Sequence, residues 1–334
     1  MNEVISSGTN ILLYADDTKI WRRISCWKDQ EILQTDITAL YDWSVKNKMK
    51  FHPKKCKVLP IAPTGKGLDN KYDQIFPFNV FYYHLNGVEL QFSESEKDLG
   101  VLVTHNLSWT NHLLNLYSKA SSRLGLLKRT VYFVKCPKKK RAFYLAIVRS
   151  QFEHCVQIWR PNSSMYIEKF ERIQRRAVKW ILSEQNHHYN NLEYFKRLKD
   201  LDLLPFWYRF MYSDLVMFYK IYNNEICVKL PGYYKPVTNE DTNRLRKIVK
   251  PPEYLVNNET IRLGDMRQTK NDSLSVKCLA DAHHSAFRNS FFFRTFQEWN
   301  RVPPEIRSAK SVVIFEKDLK SYLWEEAIRM LEPD

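Results

Sequence analysis

The chain has 334 residues, 44% hydrophobic and 14% aromatic, with 52 Lys and Arg against 37 Asp and Glu for a net charge of +15. Such apolar content supports two or three packed units and excludes a disordered chain, while no apolar run approaches the ~18 residues of a membrane span. Met1-Asn2-Glu3 lacks a basic signal-peptide region, and the six cysteines (Cys26, Cys56, Cys136, Cys155, Cys227, Cys278) form no C-x-x-C pair. The expectation is therefore an intracellular protein of nucleus and cytoplasm, without membrane partner, zinc module or disulfide framework, whose thiols are free and buried.

In chain order, Asn10 to Leu13 predicts a strand, Ala15-Asp16-Asp17 its turn and Thr18 to Arg22 the returning strand. Two adjacent like charges at the tip of an apolar hairpin have two readings. They form a polar turn, since Asp tolerates turn geometry, or a divalent-metal site. From Asp29 to Asn47, Leu33, Ile37, Leu40 and Trp43 recur at helical spacing, with Asp36, Thr38 and Lys46 off the stripe. After Pro53, "KCKVLPI" (Lys55 to Ile61) predicts a short strand, and Pro63, Gly65 and Gly67 a loop. In "FYYHLNGVELQF", Asn86-Gly87 suits a two-residue type I′ hairpin turn, because both positions need positive φ. Asp98 to His105 predicts a further strand, with Gly100 in its interior permitting a bulge or a close backbone approach.

From Trp109 the pattern turns helical. Leu113, Leu116, Ala120, Leu124 and Leu127 mark one helix, and Ala142, Leu145, Ile147 and Val148 a second that starts near Lys139. A third, Met165 to Leu182, carries an apolar stripe (Ile167, Phe170, Ile173, Ala177, Ile181) beside a basic one (Arg172, Arg175, Arg176, Lys179). The basic stripe suits a phosphate backbone or a solvated face equally well. Residues 1–105 hold 13 Lys/Arg against 13 Asp/Glu, whereas 106–181 hold 16 against Glu153, Glu168 and Glu171 alone. Charge segregated in this way points to a polyanion, naturally nucleic acid, with Lys128, Arg129, Lys138, Lys139, Lys140 and Arg141 as further candidate contacts. Helices are also expected over Asn191 to Lys199 and Trp207 to Tyr222. An irregular linker then runs from Pro231 to Asn258, followed by "SFFFRTFQEWN", a Pro303-Pro304 turn and a helix from Ser311 to Trp324.

"LYADDTKIW", "LYDWSVKNKMKFHPKKCKVL", "EKDLGVLVTHNLSWTNHL", "RSQFEHCVQIWRP" and "FERIQRRAVKWI", with "FFFRTFQEWNRVPPEIR" more weakly, occur in an order that covers most of the chain. In this the chain resembles the reverse transcriptase of a non-long-terminal-repeat retrotransposon of the jockey-like or chicken-repeat-like kind. The resemblance implies an α+β fold: part of a polymerase palm, made of antiparallel hairpins and a helix, over 1–108. A basic helical thumb-like region over 109–230 and a linker with a small C-terminal unit over 231–334 would follow. It implies that Asp16 and Asp17 hold Mg²⁺ for two-metal nucleotidyl transfer and that Tyr14 and Ala15 line the primer terminus. Leu99-Gly100 would grip the primer end, and Lys55 or Lys57, if not merely solvated, would approach the incoming nucleotide's phosphates. The partners implied are an RNA template with a DNA primer, or an RNA/DNA duplex.

Such an enzyme needs another metal-binding aspartate and fingers upstream of the Y-x-D-D turn, and only 13 residues precede Tyr14. The expected function is thus that of a remnant or fragment, inactive alone, the alternative being a non-catalytic nucleic-acid-binding protein derived from a transposable element. A fragment unable to fold stably is a further reading, because missing sheet partners expose an edge and apolar surface. "PTGKG" (Pro63 to Gly67) lacks phosphate-loop spacing, and His187-His188 and Cys278 with His283-His284 are weak metal candidates. "PKKKR" (Pro137 to Arg141) reads as an import signal, as phosphate contacts or as a solvated run.

Overall fold

The structure is a computed structural model that describes residues 2–61, 81–184, 190–232, 234–236, 253–256, 259–262, 276–278 and 285–329. The chain is α+β and divides into two compact units, Met1–Trp109 and Thr110–Asp334.

In the first unit, β1 (Thr9–Tyr14) and β2 (Asp17–Arg22) form an antiparallel hairpin whose register runs from Thr9↔Arg22 to Tyr14↔Asp17. Arg22 ties its open end: Nη1 donates to the Ser7 carbonyl at 2.9 Å and to Thr9 Oγ1 at 3.0 Å, and Nε meets Asp29 Oδ1 at 3.3 Å. Asp29 lies in the first turn of α1 (Trp27–Lys46) and accepts from the Ser25 and Cys26 amides at 2.9 and 3.1 Å. These satisfy donors a helix start leaves open, and the Ser25 amide foremost holds the Asp29 carboxyl below its ordinary range. Helix α1 buries Ile37 against Tyr83, Leu85 and Leu90, with Leu33, Tyr41, Phe51 and Val58 packed around them. Asp36, expected off the apolar stripe, is buried instead. Its Oδ1 accepts from both the amide and the hydroxyl of Ser6, at 2.8 and 2.7 Å, which compensates its desolvation in part.

The remaining strands are short. β3 (Lys57–Val58) pairs in parallel with β6 (Gln91–Phe92), and β4 (His84–Leu85) pairs with β5 (Val88–Glu89). Asn86 and Gly87 have φ of 53° and 72°, as a type I′ turn requires. On α1, the Gln34 amide donates to the His84 carbonyl and accepts from the His84 amide at 2.8 and 2.7 Å, serving the strand as a neighbouring strand would. The strand expected over Asp98 to His105 is two. β7 (Ser95–Asp98) and β8 (Val101–Thr104) are antiparallel, and Leu99-Gly100 turns between them at φ 45° and 92°. Gly100 is therefore a turn residue, not a strand-interior bulge: the chain reverses where it tolerates positive φ.

The second unit is helical: α2 (Thr110–Thr130), α3 (Pro137–Phe143), α4 (Val156–Trp159), α5 (Ser164–Leu182), α6 (Asn191–Asp200) and α7 (Phe206–Tyr222). Two small antiparallel pairs, Tyr234–Pro236 with Val276–Cys278 and Glu253–Val256 with Glu259–Arg262, precede α8 (Ser285–Arg288), α9 (Phe291–Trp299), α10 (Pro304–Arg307) and α11 (Val312–Arg329). The α2 stripe is buried at Leu113, Ala120, Leu124 and Leu127, and the α5 stripe throughout. Between α3 and α4 the backbone passes through a π-turn (Tyr144–Val148) and a 3₁₀ turn (Arg149–Phe152). The buried line there is Lys140, Tyr144, Val148 and Phe152, whereas the expected core residues Ala142 and Ile147 are exposed.

Phe152, Phe170, Phe206 and Phe210 interlock with centroid separations of 4.6 to 6.3 Å. A second aromatic group joins Phe218 and Tyr222 to Trp299, and Tyr219 to Phe315, so residues after 231 share the core of this unit. Of the five cysteines whose surroundings are described, Cys26, Cys136 and Cys227 are exposed and Cys56 and Cys155 half-buried, which corrects the expectation of buried thiols. Cys26, Cys136 and Cys155 sit at helix starts, and Cys56 packs against the Ile37 cluster.

His112, on the buried face of α2, meets the edge of Trp159 at 5.3 Å. Burial, then Lys119 and His154, push its pKa down to about 4 from 6.5. As pH falls, the unfolded chain takes up this proton first, so stability is full above pH 6.5 and is lost toward pH 4, by about 3 kcal/mol. The urea midpoint is expected to drop across that window and to flatten there in His112→Gln. An unchanged profile in the variant would contradict the burial argument.

Candidate functional site

The Y-A-D-D stretch closes the first hairpin through a two-residue loop, Ala15-Asp16, between the paired Tyr14 and Asp17. Ala15 takes φ 53°, a left-handed conformation that costs an L-residue roughly 1 kcal/mol. Tyr14, Ala15, Asp16 and Asp17 are all exposed, and among the described residues neither carboxylate has a hydrogen-bond or ion-pair partner. The apolar flank is open as well, with Leu12, Leu13, Tyr14 and Trp21 each more than 40% exposed. Two bare carboxylates suit a hard cation such as Mg²⁺, which takes oxygen ligands and keeps several waters. Yet no group of three His, Cys, Asp or Glu that could hold a metal occurs among the described residues. The donor type fits, and among the described residues no third ligand joins the two carboxylates.

The β1–β2 and β7–β8 hairpins are linked by an ion pair between Lys19 and Asp98. Asp98 immediately precedes Leu99-Gly100, so this contact ties the second positive-φ turn to the strand leaving the Y-A-D-D turn. Lys57 is exposed and donates to Gln91 Oε1 at 2.8 Å across β3 and β6. Lys55 lies in a 3₁₀ turn (Pro53–Lys55) and is exposed. No family model matches the chain, nor does any curated protein or solved structure. Residue chemistry alone therefore carries the functional argument.

The basic candidates divide. Lys140 is buried, and its ammonium donates to the Trp180 carbonyl at 3.0 Å and to Ser183 Oγ at 2.8 Å. It closes the C-terminus of α5, where carbonyls lack partners and the helix dipole favours a cation. Arg141 donates from Nε to the Leu201 carbonyl and from Nη2 to Asp202 at 3.2 and 3.3 Å, fastening the turn between α6 and α7. The burial of Lys140 corrects its reading as a nucleic-acid contact, whereas Arg141 is half-buried. Lys138, Lys139 and Arg129 are exposed, whereas Lys128 is half-buried, and burial and Arg176 lower its pKa.

On α5 the basic stripe faces outward only in part. Arg172 is exposed and pairs with Glu168 at 2.6 Å, Arg176 is exposed and donates to Ser121 Oγ at 3.2 Å, and Arg175 lies 3.8 Å from the Tyr194 ring. Lys179 is half-buried. Sequence reasoning missed two further buried cations. Arg149 donates to Gln174 Oε1 and to the Leu204 carbonyl, each at 2.8 Å, and Arg160 sits in an ion network with Asp214 and Glu298. Of the sixteen cations in 106–181, Lys140, Arg149 and Arg160 are thus buried in the core. The loop at Pro63 to Gly67, His187-His188 and His283-His284 lie outside the described residues.

No helix among the described residues is long and apolar enough to cross a membrane.

Proposed function

We propose that the chain is part of an RNA-directed DNA polymerase of the non-long-terminal-repeat retrotransposon kind. In this reading residues 1–108 are palm-like and 109–230 thumb-like, and the chain by itself binds nucleic acid without extending a primer. The observation that supports it best is the pair of bare carboxylates, Asp16 and Asp17, at the tip of a two-residue hairpin turn. The Lys19–Asp98 tie, which keeps Leu99-Gly100 with that hairpin, adds to it. Mg²⁺ held there would supply charge neutralisation for phosphoryl transfer. Tyr14 and Ala15 would face a primer end, Leu99-Gly100 would let its backbone approach closely, and Lys55 or Lys57 would meet phosphates. Transfer depends on positioning, and among the described residues no third carboxylate converges on Asp16 and Asp17 to align a primer hydroxyl with an incoming nucleotide.

The exposed cations Arg129, Lys135, Lys138 and Lys139, without a carboxylate partner among the described residues, favour the second reading, a non-catalytic nucleic-acid-binding protein derived from a transposable element. Primer extension on an RNA template with Mg²⁺ tests what the two readings share, the lack of polymerase activity in this chain. No incorporation is expected from the purified chain, and incorporation abolished by Asp16→Ala would establish a working polymerase instead.

A further inference from the structure

Between α2 and α3 the chain makes a turn that exposes two adjacent aromatic rings, Tyr132 at 73% and Phe133 at 66%. The rings meet edge to face, with centroids 5.8 Å apart and planes at 86°, so each keeps at least one face clear of the other. The turn is held by its own backbone: the Val131 amide donates to the Leu127 carbonyl and the Val134 amide to the Val131 carbonyl, both at 3.0 Å. Around the rings, Arg129, Lys135, Lys138 and Lys139 are exposed, and none has a carboxylate partner among the described residues. From residue 99 to residue 152 the sequence contains no Asp or Glu at all.

We propose that this turn is a stacking platform for single-stranded nucleic acid, with bases on Tyr132 and Phe133 and the backbone along Arg129, Lys135, Lys138 and Lys139. The proposal rests on the nucleic-acid-binding reading of the helical unit and adds to it a subsite and a strand preference. Flat apolar faces interleaved with unpaired cations match a chain that alternates bases with phosphates, and base–aromatic stacking tolerates any sequence. A duplex presents phosphates but hides its base faces, so it would use the cations and not the rings. Two more exposed cations, Lys119 and Arg123, lie on α2, with no acid between them and the turn. Aromatic and basic side chains together also mark membrane-surface segments, so lipid vesicles are the competing ligand in the test.

The test is fluorescence anisotropy on the full chain with a labelled homopyrimidine DNA strand, a duplex of equal length, and phosphatidylserine vesicles as competitor. Tyr132→Ala/Phe133→Ala is expected to weaken single-strand binding about 10- to 100-fold while leaving its salt slope and the duplex affinity unchanged. Tyr132→Trp/Phe133→Trp is expected to retain wild-type affinity. Both rings are exposed, so both variants should fold, as circular dichroism would verify. Equal single-strand affinity of wild type and the alanine variant overturns the platform and leaves the basic surface standing. Binding to vesicles without binding to the strand overturns it in favour of a membrane. No binding of either nucleic acid at low salt overturns the platform together with the reading it rests on.

Discussion

Glu298→Ala is expected to destabilise the second unit by about 3 to 5 kcal/mol, read as a lower urea midpoint with an unchanged slope. Arg160 is 2% exposed, and its guanidinium meets Glu298 through two bonds of 2.8 Å and Asp214 through one of 2.9 Å. Its carbon centre lies 4.5 Å from the Trp207 ring. Burial opposes the cation, yet Glu298 and Asp214 outweigh it and raise the Arg160 pKa. Asp214 is shared with Arg294 at 2.8 Å, so two cations and two anions balance inside the core. Removing Glu298 leaves two guanidinium groups on one carboxylate and a net buried charge. Breaking one partner of such a network costs more than the network contributes, so Arg160→Met combined with Glu298→Met should be far less destabilised than Glu298→Ala. Similar losses in both would mean that Glu298 acts through packing rather than charge.

Affinity for duplex nucleic acid is expected to fall about a thousandfold between 50 and 200 mM salt, as it would for about six phosphate contacts. The exposed cations of α2, the following turn and α3 are Lys119, Arg123, Arg129, Lys135, Lys138 and Lys139, in a stretch without a single acid to neutralise them. Lys138→Ala/Lys139→Ala should make the log–log salt slope shallower by about 2, because each contact releases about one counterion. Lys140→Ala is the informative contrast. It should lower stability by uncovering the C-terminus of α5 and leave the slope as it was, since Lys140 reaches no phosphate from its buried position. Filter binding across a salt series measures both, and equal slopes for all three proteins would remove the electrostatic argument.

How far the fold was legible follows from these same residues. The stripes of α2 and α5 were readable because burial of Leu, Ile, Phe and Ala imposes the 3.6-residue period, and Asn86-Gly87 because few pairs accept two positive φ values. Leu99-Gly100 escaped because Leu is a poor left-handed residue and carries no turn signal, so "DLGVLVTH" read as one strand. Around α3 the buried stripe is not the one its apolar residues suggest. Lys140, Tyr144, Val148 and Phe152 are spaced four apart, but a lysine within "PKKKR" reads as solvated until its partner, the Trp180 carbonyl 40 residues away, is known. Asp36 with Ser6, and Arg160 with Glu298, repeat that lesson at separations of 30 and 138 residues. Charge pattern reports composition; only tertiary contacts tell which charges are left for a ligand. The exposure of Asp16, by contrast, was inherent in a two-residue loop, which has no room to fold its side chains beneath the strands, and Asp17 is the strand residue next to it.

Whether the Y-A-D-D turn holds a cation is decided by titrating Mn²⁺ as a paramagnetic probe into the ¹⁵N-labelled chain. A weak site with two carboxylates, on the order of millimolar, should broaden the amides from Tyr14 to Thr18 first. Leu99 and Gly100, tied to this hairpin through Lys19 and Asp98, should follow, and Asp16→Asn/Asp17→Asn should abolish both effects. Broadening that spreads over the surface without preference for this turn, or that survives the double substitution, would contradict a cation site there.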